Sequence, residues 1–413
     1  MSRSKIYLKP KKEESLLRFH PWIFSGAVAS IQGKPEDGDV VEVYGSDQRL
    51  LGVGHYQIGS IMVRILSFTP VEVDVAFWTE RIRQAYLLRC DLGLTGQDRL
   101  YHPDGSLSAS TAVEANNNTY RLVYGEGDRL PGLIVDVYAN TAVIQAHSVG
   151  IHHARKNIAA ALKEILGEGL HRIYYKSEGT LPFKAGLHEE NGYLYGDDNK
   201  EPCIALENGL HFHIDWLKGQ KTGFFIDQRD NRSLLRHYAK GRNVLNMFCY
   251  SGGFSVYALH GGASLVHSVD SSAKAIALTN ENVALNCPQD ARHRAFVEDA
   301  FRFMEHIDNR YDLIVLDPPA FAKHKRALAN AMQGYRRLNA IAFKKIKPGG
   351  IIFTFSCSQI VSKQDFRSAV FGAAAQSGRA VRILHQLAQP ADHPVNIYQP
   401  EGEYLKGLVL QVE

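Results

Sequence analysis

Two residues whose side chains can take part in covalent and acid–base chemistry each follow a predicted buried strand. Asp317 comes directly after the apolar run Leu313–Leu316, and Cys357 follows the run Ile351–Phe355. A cysteine thiolate is a strong nucleophile, and a carboxyl group can hydrogen-bond a substrate or exchange a proton with it. Because the ends of neighbouring parallel strands share one sheet edge, we expect both residues to face one substrate. The alternative for a lone cysteine is a buried, inert thiol.

Strand-like apolar runs alternate with helices beyond about residue 229. The predicted strands are Val244–Phe248, Leu265–Val269, His293–Val297, Leu313–Leu316 and Ile351–Phe355. The predicted helices lie near Phe254–His260, Ser272–Asn286 and Ala327–Ile346. Continuous apolar strands that alternate with helices are typical of a parallel sheet covered on both faces. The last two strands, Val381–His385 and Leu405–Val412, have no helix between them, so we expect the final strand to run antiparallel.

A turn with two adjacent glycines follows the first of these strands. It is made of Cys249, Tyr250, Ser251, Gly252, Gly253 and Phe254, directly after Phe248. Glycines let the backbone approach a ligand closely at the N-terminus of a helix. The turn lacks the G-x-G-x-x-G pattern and the lysine of a phosphate-binding loop, which disfavours a dinucleotide and ATP.

Acidic residues close the next strands. Asp270 ends the second strand and is placed to bind two ribose hydroxyls, as in other open α/β sheets. Asp299, after the third strand, is placed to accept from an adenine amine, and Asp317 ends the fourth. The set indicates a site for an adenosine-containing cofactor. A tight turn at the glycines and helix caps at Asp270 and Asp299 are the structural alternatives.

The N-terminal half has a different pattern. Residues 1–70 contain the short strand-like runs Asp39–Tyr44, Leu50–Tyr56 and Ser60–Leu66, which predict a small β-barrel. Residues 71–190 mix an amphipathic helix from Val73 to about Cys90 with further strands and a helix. We therefore expect a barrel, a central α+β module and the parallel-sheet domain, in that order.

Six motifs together carry a resemblance to a known family. They are Leu17–Gly26, Tyr124–Leu133, Gly219–Arg232, Asn246–Phe254, Asp317–Phe321 and Ser356–Ser358. With them the whole chain resembles the PUA-linked class I RNA cytosine-5 methyltransferases that modify large-subunit ribosomal RNA. The resemblance implies S-adenosylmethionine as cofactor. It also implies an α/β fold class: a PUA-like RNA-binding barrel at 1–70, a central α+β domain at 71–190, and a Rossmann-like, seven-stranded class I methyltransferase domain at 191–413.

The resemblance also implies which residues line the cofactor pocket. Lys221, Thr222, Asp227 and Arg229 join the glycine turn, Asp270, Asp299 and Asp317 there. Arg229 is suited to bind the methionine carboxylate through two parallel hydrogen bonds. Capping of the helix that follows is the alternative for Asp227.

The chemistry implied by the family requires a cysteine. Carbon 5 of a pyrimidine is too weak a nucleophile to take a methyl group from a sulfonium unaided, and addition of a thiolate to carbon 6 activates it. We assign that role to Cys357 and expect Asp317 to hydrogen-bond the cytosine N3 and amine. Phe321 is expected to stack on a base taken out of the RNA. Cys249 is expected to pack in the cofactor turn, and the base that removes the carbon-5 proton is not identified.

Positive charge is concentrated in two places. The first is the N-terminus, where Lys5, Lys9, Lys11 and Lys12 are expected to contact RNA phosphates. The second is residues 318–364, which carry nine Lys or Arg and no Asp or Glu; there we expect Lys323, Lys325 and Arg326 to contact RNA. The alternative for residues 318–364 is a solvated helix face. The alternative for the N-terminal barrel is a domain that only stabilises the protein.

Composition excludes several classes of protein. The 413 residues contain five scattered cysteines without a C-x-x-C pair, which disfavours a disulfide framework and a metal site. No apolar run is long enough to span a membrane, so we expect a cytoplasmic protein, with a homodimer as a possibility. A uracil-5 methyltransferase, a base-amine methyltransferase and a non-catalytic RNA-binding or ribosome-assembly protein remain as alternatives.

Overall fold

The computed structural model describes residues 3–95, 99–101, 107–109, 116–182, 191–197, 203–322 and 324–413. Two compact units make up the chain. The first comprises Met1–Leu206, Ile214–Ile226 and Ala391–Gly402, and the second Glu207–His213, Asp227–Pro390 and Glu403–Glu413. A division into three domains at residues 70 and 190 stays a prediction. None of the helices in the described ranges combines the length and the hydropathy that crossing a bilayer requires.

A six-stranded sheet opens the first unit. Its elements are β1 (Lys5–Leu8), α1 (Glu14–Leu17), β2 (Trp22–Phe24), β3 (Val28–Gln32), β4 (Val40–Tyr44), β5 (Leu50–Tyr56) and β6 (Ile61–Ser67). The strand order is β2-β6-β5-β4-β1-β3, and only the pair β1 and β4 is parallel. Alternate residues such as Val41 and Val43 are fully buried in its core, as the two-residue period of a strand requires. The three predicted strands are confirmed, whereas β1 to β3 have no predicted counterpart.

A mixed sheet with two long helices completes the larger part of the first unit. Its elements are α2 (Val75–Asp91), β7 (Arg99–Tyr101), β8 (Leu107–Ala109), β9 (Thr119–Tyr124), β10 (Leu133–Tyr138), β11 (Thr141–Ala146), α3 (Val149–Leu166), β12 (Arg172–Tyr175) and β13 (Gly192–Tyr195). Five of the strands form a sheet in the order β13-β12-β11-β10-β9, with β11 and β12 parallel. Apolar faces of the helices and the sheet share one core. The predicted α+β character of this region is confirmed.

A seven-stranded sheet is the centre of the second unit. A hairpin of β14 (Cys203–Glu207) and β15 (Leu210–Ile214) comes before it in the chain. The elements that follow are α4 (Arg229–Tyr238), β16 (Asn243–Met247), α5 (Gly253–His260), β17 (Leu265–Asp270), α6 (Ala273–Asn286), β18 (His293–Val297), α7 (Ala300–His306), β19 (Leu313–Leu316), α8 (Leu328–Lys345), β20 (Gly350–Ser356), α9 (Lys363–Ser377), β21 (Val381–Leu387) and β22 (Lys406–Val412). The order is β18-β17-β16-β19-β20-β22-β21, and β22 is antiparallel to both neighbours. The predicted reversed last strand is confirmed.

The register of the central strands determines which residues share an edge. Met247, near the end of β16, pairs with Val269 of β17 and Leu316 of β19, and Leu316 pairs with Thr354 of β20. These strands are parallel, so their carboxyl ends lie along the same edge. Asp270 is the last residue of β17, and the segments that follow the other three strands carry the glycine turn, Asp317 and Cys357.

A buried ion pair supports the helix that follows the glycine turn. Arg232 of α4 donates to both carboxylate oxygens of Glu207, at 2.9 and 2.6 Å, and the hydroxyl of Tyr257 donates to the same carboxylate at 3.0 Å. Both members of the pair are almost completely buried. A Cβ added to Gly253, at the start of α5, would meet the Arg232 side chain at 3.0 Å. The pair therefore packs directly against the first turn of α5.

Loss of one partner from this pair should destabilise the second unit. We expect Glu207→Gln to lower the free energy of unfolding by about 3–5 kcal/mol, because a buried guanidinium would lose its counter-charge. The matched control is Glu305→Gln, which opens the solvent-exposed pair with Arg337 and should change stability by less than about 1 kcal/mol. Denaturant unfolding of both variants measures the difference, and equal losses would contradict the prediction.

Candidate active site

The glycine turn and Phe248, which directly precedes it, have an unusual backbone conformation. Phe248, Tyr250 and Gly252 all have positive φ, at 58°, 46° and 74°. This conformation costs about 1–3 kcal/mol at a residue with a side chain, so the surroundings must hold it in place. A Cβ on Gly252 would lie 2.7 Å from the Thr279 side chain. Only glycine therefore fits at this position of the turn.

Helix α6 holds the glycine turn through polar side chains. Thr279 donates its hydroxyl to the carbonyl of Tyr250 at 2.9 Å, and Asn282 donates to the carbonyl of Ser251 at 2.8 Å. Both side chains are fully buried. The sequence reasoning missed them, although two polar residues three positions apart on the buried face of a helix are the signal that would have indicated such a contact.

Asp270 and Asp299 occupy the strand ends where they were predicted. The carboxylate of Asp270 accepts from the backbone N–H of Tyr250 at 3.1 Å and of Ser272 at 2.9 Å, so it links β17 to the glycine turn. Asp299 is exposed and caps α7 by accepting from the N–H of Arg302 at 3.0 Å. The cap is the structural alternative for Asp299. Contacts of the two carboxylates with a ribose and an adenine stay predictions.

The carboxylate of Asp317, directly after β19, lies near that of Asp227, which precedes α4. Gln228 donates to Asp317 at 3.0 Å, and Asn231 donates to Gln228 at 2.6 Å. Burial, with the nearby charge of Asp227, raises the pKa of Asp317 to about 7. Asp227 accepts from the hydroxyl of Tyr404 at 2.6 Å. Its other oxygen is buried and has no hydrogen-bond partner within the described ranges.

Arg229 follows Asp227 at the start of α4. Its side chain is 3% exposed and lies 3.7 Å from Asp230. A guanidinium so far from water needs an anion or several acceptors, and Asp230 supplies one of them. Binding of a methionine carboxylate by Arg229 stays a prediction.

Lys221 and Thr222 belong to the first unit, unlike the other predicted cofactor residues. Thr222 is fully buried, donates to Asp136 at 2.6 Å and hydrogen-bonds the hydroxyl of Tyr138 at 2.8 Å. Lys221 is exposed, with a φ of 52°. These contacts explain Thr222 as part of a buried polar group, and a place for both residues in the cofactor pocket stays a prediction.

The two cysteines at the sheet edge differ in their surroundings. Burial raises the pKa of the Cys249 thiol to about 12. This thiol belongs to the glycine turn and lies 3.5 Å from the Thr279 hydroxyl of α6. Cys357 directly follows β20 and is partly exposed. Burial and the nearby charges of Asp317 and Asp227 raise the pKa of Cys357 to about 11. Its thiol is therefore protonated at neutral pH until a positive charge or a proton acceptor lowers that pKa.

The residues predicted to contact RNA are distributed over both units. Phe321 packs on Tyr335 with ring centres 4.7 Å apart and remains partly exposed. Lys325 and Arg326 form an exposed turn before α8, and Lys323 lies outside the described residues. In the barrel, Lys9, Lys11 and Lys12 are exposed, whereas Lys5 is partly buried beside the ring of Tyr44.

The edge of the seven-stranded sheet in the second unit fits adenosylmethionine in three respects. Gly252 leaves the backbone of the glycine turn without a side chain at the start of α5, where a ligand can approach it closely. Asp270 uses two of its lone pairs and retains others for hydroxyl donors. Asp227 has a buried oxygen with no partner in the described residues, as expected where a ligand donor is missing.

Comparison with known proteins agrees with this assignment. Residues 190–401 match a family model described as S-adenosylmethionine-dependent methyltransferase, and residues 6–68 match that of a PUA-like domain. A putative SAM-dependent methyltransferase from Streptococcus mutans has the same fold, with a TM-score of 0.80 and 23% identity over 99% of this chain and all of that one. A second solved structure, a putative methyltransferase complexed with SAH, gives 0.81 with the same identity and coverage. Fold and site thus define a class I methyltransferase with a PUA-like domain.

Full-length relatives narrow the assignment. Ribosomal RNA large subunit methyltransferase I of Aeromonas hydrophila is 39% identical over 98% of both chains, and that of Pseudoalteromonas atlantica is 40% identical over 99% of both. The chain belongs to the S-adenosylmethionine-dependent methyltransferase family. Within that family it is similar over its full length to the ribosomal RNA large subunit methyltransferases I.

The fit of the glycine turn can be tested by filling it. We expect Gly252→Ala to weaken adenosylmethionine binding at least about tenfold, because the new Cβ would meet Thr279 and displace the turn. Gly241→Ala is the matched control, since Gly241 has nearly the same φ but open space around its Cβ position. Calorimetry should show near-normal affinity for the control, and normal affinity for Gly252→Ala would remove the turn from the site.

Proposed function

We propose that this protein transfers a methyl group from S-adenosylmethionine to carbon 5 of a cytosine in large-subunit ribosomal RNA. The observation that carries the proposal is the position of Cys357 directly after β20, on the same edge as Asp317 after β19. The names of its full-length relatives support the RNA substrate. A cytoplasmic location and a homodimer stay predictions from the sequence.

The cofactor supplies an electrophilic methyl group on its sulfonium when it is bound. We assign its binding to residues of the sheet edge and the segment before α4: Lys221, Thr222, Asp227, Arg229, Phe248, Cys249, Tyr250, Ser251, Gly252, Gly253, Phe254, Asp270, Asp299 and Asp317. Within this set, Asp227 has the unpartnered buried oxygen and Arg229 the buried guanidinium. Asp270 fixes the glycine turn and offers its remaining lone pairs.

Cys357 is the proposed nucleophile. Its thiolate bonds to carbon 6 of the cytosine, and the electrons of the 5,6 double bond make carbon 5 nucleophilic enough to take the methyl group. Removal of the carbon-5 proton then returns electrons to the 5,6 bond and expels the thiolate. The thiol starts this sequence protonated, because its pKa is about 11. Its proton must therefore pass to water or to another base before attack.

Asp317 is the proposed acid at N3. With a pKa of about 7, its carboxyl carries a proton in a large fraction of molecules at neutral pH. A protonated carboxyl can donate to N3 of cytosine, where negative charge develops as the thiolate adds to carbon 6. Gln228 holds one oxygen of Asp317 from the side and keeps the carboxyl in a fixed orientation.

The barrel and the basic segment before α8 are the proposed RNA contacts. Exposed lysines at the start of the barrel and the turn with Lys325 and Arg326 provide positive charge for phosphates. Phe321 has an exposed part that can stack on a base, while its buried part packs on Tyr335.

The product and the nucleophile can be tested together. Large-subunit RNA from cells that lack the gene should gain 5-methylcytidine when incubated with the protein and adenosylmethionine, as read by nucleoside mass spectrometry. Cys357→Ala should lower turnover at least about a thousandfold, as loss of a covalent nucleophile does, while Cys249→Ala should retain much of it. A base-amine product, 5-methyluridine, or normal turnover by Cys357→Ala would contradict the proposal.

The role of Asp317 predicts a specific pH dependence. Between about pH 6 and 7 the wild-type rate should rise about tenfold per unit with the thiolate fraction. Above the Asp317 pKa of about 7 it should level off, because each gain in thiolate is offset by loss of the proton on Asp317. Asp317→Asn keeps a donor that does not titrate, so its lower rate should continue to rise up to about pH 8. A plateau in both proteins would exclude Asp317 as the acid.

The RNA assignment predicts a change in salt dependence. Replacing Lys5, Lys9, Lys11 and Lys12 by Gln should weaken RNA binding. The slope of log affinity against log salt should fall by up to about 0.7–0.9 for each phosphate that the variant no longer neutralises. Affinity for adenosylmethionine should not change. Replacing Lys325 and Arg326 is the comparison: if only this change alters the slope, the basic segment and not the barrel binds the phosphates.

A further inference from the structure

A buried lysine lies beside the proposed nucleophile. Lys406 is the first residue of β22 and pairs in register with Ser356, the last residue of β20, immediately before Cys357. Its side chain is only 6% exposed. Lysine is almost never buried to this extent unless its charge has a partner, so the surroundings of this ammonium group require an explanation.

The ammonium of Lys406 holds the segment that follows Cys357. It donates to the carbonyl of Ser358 at 2.5 Å and to that of Val361 at 2.8 Å. The hydroxyl of Ser358 in turn donates to the carbonyl of Ala322, at 2.8 Å, in the segment after Asp317. Lys406 therefore connects the backbone next to the cysteine with the backbone beyond the carboxyl group.

The charge of Lys406 has no carboxylate partner among the described residues. Within the described ranges its nitrogen forms no ion pair with a carboxylate, because Glu403 pairs with Lys363 at 2.8 Å instead. Burial lowers the pKa of Lys406 to about 8, while interaction with Cys357 raises it. Conversely, Lys406 lowers the pKa of Cys357. The ammonium and the thiolate thus stabilise each other.

The other charges around this pair act in both directions. Asp317 and Asp227 raise the pKa of Cys357 and so oppose the thiolate. Lys363 lowers the pKa of Lys406, and Glu403 raises it. Among these charged side chains, Lys406 favours the Cys357 thiolate through its positive charge.

We propose that Lys406 is a positioning residue that holds the Cys357 segment and stabilises the Cys357 thiolate by its positive charge. This inference rests on the proposed function, in which Cys357 attacks the base. It assigns to β22, the reversed strand, a part in the chemistry besides completing the sheet. Above about pH 8, where Lys406 loses its proton, this stabilisation is lost, and below that pH it is fully present.

The test measures the reactivity of the Cys357 thiol directly in the full chain. A methanethiosulfonate reagent is added without RNA or cofactor, and peptide mass spectrometry follows Cys357, with the partly buried Cys287 as internal reference. At pH 7, Lys406→Met should react at least about tenfold more slowly than wild type, the scale of a nearby opposite charge. Lys406→Arg should restore the rate, since arginine keeps its charge.

The pH profile separates charge from structure. The advantage of wild type over Lys406→Met should shrink as pH rises through about 8 and disappear once Lys406 is neutral. The log rate of wild type should flatten there, whereas that of Lys406→Met should continue to rise, since ionisation of Asp317 near pH 7 affects both proteins alike. A constant ratio at all pH values would mean that Lys406 only holds the loop, and equal rates at pH 7 would overturn the inference altogether.

The outcome does not depend on what Cys357 does to RNA. If Cys357→Ala retains full methylation, the proposed function fails, and the reactivity profile still reports the effect of Lys406 on the thiol. If Cys357→Ala is inactive while wild type and Lys406→Met share one reactivity profile, the nucleophile stands and the role of Lys406 is wrong.

Discussion

A carboxyl group and a thiol share one poorly solvated edge of a parallel sheet, and this shortage of water determines how the site can work. Burial raises the pKa of Asp317 to about 7 and that of Cys357 to about 11, and the charge of Asp317 further opposes ionisation of Cys357. Two neighbouring acids of this kind titrate as a pair. At pH 7 the pair therefore carries about half a proton more than two free groups would, and that proton is available for a cytosine when the sulphur becomes anionic.

The rest of the second unit can be understood as the support of that edge. Register places the ends of β16, β17, β19 and β20 side by side, so the cofactor turn, the acid and the nucleophile meet without long loops. Side chains from neighbouring elements then fix each segment: Thr279 and Asn282 hold the glycine turn, Gln228 holds Asp317, and Lys406 holds the segment after Cys357. Each is buried, which makes its hydrogen bonds costly to break.

The fold was more predictable from the sequence than the support of the site. Continuous apolar runs locate strands such as β19 and β20 to within a residue, and the residues after them lie where parallel topology requires. Contacts such as that of Lys406 with Val361 join residues 45 positions apart, which no local pattern encodes. Strands β1 to β3 were missed because runs of three to five residues are too short for a two-residue period to be recognised. Thr222 shows the limit of a family resemblance. Its hydrogen bonds to Asp136 and Tyr138 account for its burial without a cofactor.

Trapping the covalent adduct tests the central claim most directly. A 5-fluorocytosine at the target position has no carbon-5 proton to lose, so the adduct should persist after methyl transfer. Denaturing electrophoresis should then show a protein–RNA band that needs adenosylmethionine for efficient formation, persists in Cys249→Ala and disappears in Cys357→Ala. A band that persists in Cys357→Ala and disappears in Cys249→Ala would reverse the roles of the two thiols, and methylation without any adduct would contradict the mechanism.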